Sequence, residues 1–139
     1  MKEHNHAVVW MDHREARVFH FTAEDVEALV IHPHGRHLHI HHRADSIGNG
    51  HVLEDRAFLD DVVKAIGGSK AVLVTGPGMA KTALVKHIAR HVPEMMENVA
   101  GVETVDHPTD GALVAHARAY FKAADRLTPQ QQSNVGAGE

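Results

Sequence analysis

One stretch, residues 70–87 (KAVLVTGPGMAKTALVKH), restricts the possible folds more than any other. Ala71, Val72, Leu73, Val74 and Thr75 form an apolar, β-branched run, long enough for a strand and too short for a helix. With almost no polar position to turn toward water, such a strand is covered on both faces. Gly76, Pro77 and Gly78 break the run, and Met79, Leu84, Val85, Ile88 and Val92 bring apolar residues back at helical spacing. A buried strand, a glycine turn and a helix make one unit of an α/β layer fold.

The chain before this unit reads as three strands. Residues 7–11 (AVVWM) and 16–21 (ARVFHF) flank the polar turn Asp12-His13-Arg14-Glu15 as a hairpin, with Val18 and His20 facing away from Arg17, Phe19 and Phe21. After the break at residues 22–25, Val26 to His32 reads as a third antiparallel strand. Residues 32–50 are crowded with His, Pro and Gly and read as a long, partly ordered loop, the kind of segment in which sites are found. Val52, Phe58, Leu59, Val62, Val63 and Ile66 then predict an amphipathic helix over 51–66, stopped by Gly67-Gly68. Beyond the central unit, Pro93 opens a short helical turn through Met96 and residues 99–105 form a last strand. Thr109 or Asp110 caps a final helix carrying Leu113, Val114, Ala117, Tyr120, Phe121 and Ala124. Residues 128–139 (TPQQQSNVGAGE) are polar and are expected to be a disordered tail.

The resulting order, β-β-β-α-β-α-β-α, joins a three-strand meander to two right-handed parallel crossovers. That is the topology of a three-layer ribonuclease H-like fold, a mixed five-stranded sheet with helices on both faces. Residues 1–127 are expected to make one such domain, with the His-rich loop at 32–50.

Composition narrows the function classes. The 139 residues include no Cys, which removes disulfides, thiolate metal sites and cysteine nucleophiles. No signal-peptide core or apolar run approaching the ~18 residues of a membrane helix is present, so no membrane partner and a cytoplasmic location are expected. Fourteen basic against 18 acidic residues leave a net charge of −4, opposite to the footprint of a DNA-binding protein, so no DNA partner is expected and any RNA contact is local. A narrow patch around Arg14, Arg17, Lys81, Lys86 and Arg90 is the basic surface available.

Three constellations can carry chemistry. Lys81-Thr82 follows a glycine turn, but a phosphate loop needs glycine at 75 and 80, where Thr75 and Ala80 stand. What survives is an anion site at the start of the helix, and with the bend Asp106-His107-Pro108 on the same sheet edge the candidate ligand-binding residues are Gly76, Gly78, Lys81, Asp106 and His107. On an extended segment His37, His39 and His41 project to one side, a ligand set for Zn²⁺ or another divalent transition metal, beside the simpler reading of a solvated loop. Asp12, at the end of the first strand, with the histidines, Asp106 or Asp110 is the alternative catalytic set of a metal-dependent phosphodiesterase or nuclease. Glu54 and Asp55 are further companions. Beside this, Asp12 reads as a turn starter and Asp110 as a helix cap.

The segments VVWMDHREARVF, FLDDVVKAI, AVLVTGPG with KTALVKHI, and VETVDHPTDGALVAHA together resemble the central domain of the archaeo-eukaryotic peptide-chain release factors. They are most similar to its bacterial relatives, known as translational machinery or host-attachment proteins. The resemblance covers roughly residues 7–126 and implies a ribonuclease H-like domain working at the ribosome. In the release factors a Gly-Gly-Gln loop promotes peptidyl-tRNA hydrolysis. This sequence has no such tripeptide: Gly67-Gly68 is followed by Ser69, and Gln130 to Gln132 lack the glycines. Peptide release is therefore not carried over, and Pelota-like rescue factors resemble it in that respect. The expected function is a non-enzymatic interaction domain whose partner is the ribosome, RNA or a translation protein, with self-association, as a dimer, through an edge strand.

Overall fold

The computed structural model of the protein describes residues 6–33 and 56–138, with side chains as far as 124. Alternation and β-branching place the strands where the sequence predicts them: β1 (His6–Met11), β2 (Ala16–Phe21), β3 (Val26–Ile31), β4 (Ala71–Gly76) and β5 (Val99–Thr104). They form one mixed sheet in the order β3-β2-β1-β4-β5. The β1-β2 and β2-β3 pairs are antiparallel, while β1-β4 and β4-β5 are parallel. This is the expected meander followed by crossovers. Helix α1 occupies 56–66, and α2 is Ala80–His91. The short turn predicted at 93–96 is a 3₁₀ helix, Pro93–Asn98.

Helices α1 and α2 cover one face of the sheet. Ala7, Val9, Met11, Val18, Val72 and Val74 form one core with Phe58, Val62 and Ile66 of α1 and Leu84 and Ile88 of α2. All of these side chains are at most 2% exposed, and full burial of each large apolar chain contributes about 1.5–3 kcal/mol. Val8, Trp10, Phe19 and Leu73, which point to the opposite face, are buried as well, so the central strands read as continuous apolar runs for the reason given above. The sheet edge β3 differs: Val26, Leu29 and Val30 are 44%, 47% and 51% exposed.

A polar clasp holds the turn between α1 and β4. His20 Nε2 lies 2.7 Å from the Ala65 carbonyl, which requires the proton on that nitrogen, and the Ser69 hydroxyl then donates to Nδ1 at 3.2 Å. Gly68 turns there with φ +95°, the left-handed conformation that closes a helix. Asn98 Nδ2 donates to the carbonyls of Ser69 and Lys70.

The chain divides into two compact units, Met1–His107 and Pro108–Glu139, where one domain over 1–127 is expected. The second unit is helix α3, Asp110–Gly138. The Thr109 hydroxyl accepts the Ala112 N–H at 3.1 Å, so Thr109 is the cap and Asp110 is the first helical residue. The segment 128–138, expected as part of a tail, is helical as far as Gly138. The loop residues His37, His39 and His41, with Glu54 and Asp55, lie outside the described residues. Among the described residues no helix is long and apolar enough to cross a membrane.

Candidate functional site

The parallel strands β1, β4 and β5 end together, and the segments leaving them build a cleft at their C-terminal edge, where open α/β sheets place ligands. Its volume is about 560 Å³, and it is lined by Met11 to Arg14 after β1, Pro77 to Ala80 after β4, Phe58 and Leu59 of α1, and His107.

Each wall has a local cause. Asp12 Oδ1 accepts the Arg14 and Glu15 N–H groups at 2.8 and 3.0 Å, and the Asp12 N–H donates to the Glu15 carbonyl at 3.1 Å, so the β1-β2 turn is closed by its first residue. Gly76 is required by crowding: a Cβ there would stand 2.2 Å from the Met11 carbonyl oxygen. Helix α2, with Met79 as its N-cap, has no side-chain cap and no acidic residue in its first turn, so its positive end opens toward the part of the cleft lined by Pro77 to Ala80.

The third wall hangs on Trp10. Its indole N–H donates to the Asp106 carbonyl at 2.6 Å, with the Val105 carbonyl at 3.2 Å, while the Val105 N–H donates to the Gly76 carbonyl at 3.0 Å. The chain leaving β5 is thereby folded over the end of β4. His107 packs against the indole at a tilt of 57° with ring centroids 4.9 Å apart, and the Arg17 guanidinium sits 4.5 Å from the centre of the same ring. His107 Nδ1 is 3.2 Å from Asp106 Oδ1, and its Nε2 is 4.0 Å from Asp12 Oδ2.

The candidate residues thus separate. Gly78, His107 and Asp12 meet in the cleft, Gly76 lies beneath it, and Asp106 directs its side chain to solvent, 92% exposed. Lys81 is 8% exposed and donates from Nζ to the Gly78 carbonyl at 2.5 Å, so its charge braces the turn. The predicted basic patch also separates: Arg14 lines this cleft, Arg17 covers Trp10, Lys81 is buried, and Lys86 and Arg90 lie elsewhere on α2. Among the described residues no group of three His, Asp or Glu side chains stands ready to hold a metal ion. Trp10 was not among the candidates. Its isolated position as the sole tryptophan, two residues before Asp12, was the available signal.

Solved structures carry this fold, while no family model and no curated protein matches the chain. Archaeoglobus fulgidus Pelota is similar with a TM-score of 0.62 at 14% identity, over 95% of this chain and 37% of its own. Thermoplasma acidophilum Pelota gives 0.53 at 20% identity, over 77% and 30% of the two chains. The archaeal translation termination factor aRF1 gives 0.53 at 14% identity, over 96% and 43%. The fold is that of a part of these factors. At such identities the likeness is one of architecture, and the chain spans less than half the length of each.

Proposed function

We propose that this chain is a non-enzymatic interaction domain of the translation machinery, and that it docks on the ribosome with the cleft edge of its sheet. The observation that carries the reading is the shared fold: 95% of the chain follows Pelota at a TM-score of 0.62, meander and crossovers included. The missing Gly-Gly-Gln tripeptide supports binding without peptide release. The cleft supports a docking role through its make-up, since the apolar Met11, Phe58, Leu59 and Met79 line it together with His13, Arg14 and His107. Self-association is assigned to the half-exposed apolar residues of β3, and sedimentation equilibrium reads it.

Co-sedimentation tests the reading. The purified chain should pellet with ribosomes at low salt, leave them at high salt, and release no peptide from peptidyl-tRNA. A chain that stays in the supernatant at every salt concentration overturns it.

A second reading rests on His107 standing between the carboxylates of Asp12 and Asp106. A metal-dependent phosphodiesterase built on Asp12 would cleave RNA with Mg²⁺ or Zn²⁺ and lose that activity in Asp12→Asn. The Asp12 oxygen already held by two N–H groups counts against it.

A further inference from the structure

A second cleft, of about 540 Å³, lies between α1 and α2. It is distinct from the sheet-edge site in charge. Arg56 comes from α1, and Lys86, His87, Arg90 and His91 come from α2, where the steps 83, 86, 87, 90 and 91 keep one face of the helix turned to it. Its floor is apolar, Leu59 and Ala83. Among the described residues that line it there is no carboxylate. The Asp60 carboxylate is engaged by the buried His87, whose Nε2 lies 2.6 Å from Oδ1. That contact leaves the exposed cations Arg56, Lys86 and Arg90 grouped on a protein whose net charge is −4. Like charges gathered in one cleft cost free energy that an anion relieves.

We infer that this cleft binds the sugar-phosphate backbone of single-stranded RNA. Lys86 and Arg90 are four residues apart, about 6 Å along the helix, a step that suits successive phosphates. Arg56 closes the cleft from the other helix, and its planar guanidinium, like that of Arg90, matches phosphate in a two-point contact. An acidic peptide would satisfy the charges alone. RNA also uses the rest of the cleft: the apolar Leu59 and Ala83 accept ribose, and His91, packed at a tilt on His87 with centroids 4.6 Å apart, presents a ring to a base. The inference deepens the translation reading and rests on it for its biological setting; Leu59 and Ala83 line both clefts, while Arg56, Lys86 and Arg90 line this one and not the sheet-edge cleft.

The test is fluorescence anisotropy of a labelled twelve-nucleotide RNA with the full chain. Three neutralised phosphates give a slope of log affinity against log salt of about −2, roughly a twentyfold loss between 50 and 200 mM. The double substitution Lys86→Gln and Arg90→Gln should weaken binding at least about tenfold at 50 mM and flatten the slope to about −0.7. Lys70→Gln, an exposed lysine outside the cleft lining, should change neither. Both altered residues are exposed, and circular dichroism confirms that the variants fold.

Equal binding by the double variant, or absence of RNA binding by the native chain, overturns the inference. So does poly-glutamate binding as tightly as RNA of equal charge, which assigns the cleft to an acidic peptide. RNA binding unchanged in a double variant that still pellets with ribosomes overturns the cleft alone; RNA binding that the double variant loses, in a chain that never pellets with ribosomes, overturns the translation reading alone.

Discussion

The indole N–H of Trp10 meets the carbonyl oxygen of Asp106 across 2.6 Å, joining the end of β1 to the chain just past β5 with β4 between them. A buried tryptophan N–H needs an acceptor, and here the acceptor is the backbone that positions His107. The contact therefore acts on stability and on the shape of the cleft at once. Trp10→Phe removes the donor and some ring volume, and urea denaturation should show a loss of about 2 kcal/mol.

Gly76 and Gly78 should respond in opposite ways to the same substitution. Alanine at Gly76 drives a methyl into the backbone oxygen of Met11, so β1 and β4 must part, at a cost of at least about 2 kcal/mol. Alanine at Gly78 meets nothing within 4 Å and should stay within about 0.5 kcal/mol of the native chain. Thermal denaturation of the two variants side by side checks the pair.

Asp12 is needed for its acceptor oxygen, and its charge is incidental to the turn. Asp12→Asn keeps an oxygen facing the Arg14 and Glu15 N–H groups and should leave stability unchanged, whereas Asp12→Ala should lose about 1–2 kcal/mol. Chemical denaturation separates them. If Asp12→Asn is instead as unstable as Asp12→Ala, the turn depends on the charge.

The core is uneven in the same legible way. Leu84 is fully buried between α2 and the sheet, and Leu84→Ala should cost about 2–5 kcal/mol. Leu29→Ala, at a position 47% exposed on β3, should cost well under half of that. Equilibrium unfolding of both variants reads the difference.

The sheet was legible because burial on both faces writes itself into the chain: 71–75 has no polar face, and the switch to helical spacing after Gly78 marks where the strand stops. Trp10, whose ring contacts join distant segments, gave only its rarity. Lys81 shows the opposite limit, since a lysine after glycines has the same composition whether it reaches for an anion or, as here, folds back on the Gly78 carbonyl. The cation cleft was half visible. Lys86 and Arg90 share a helix face by spacing, but Arg56 joins them only through the packing of α1 on α2, and Arg17 and Lys81 drop out through contacts that no spacing encodes.

The proposed role is docking on the ribosome by the C-terminal edge of the parallel strands. Electron cryomicroscopy of the full chain mixed with ribosomes at low salt tests this most directly. The predicted result is density for the five-stranded sheet with the ends of β1 and β4 and His107 against the ribosomal surface. A map in which the chain is absent, or is held by the opposite edge near His20 and Ser69 with the cleft facing solvent, would contradict it.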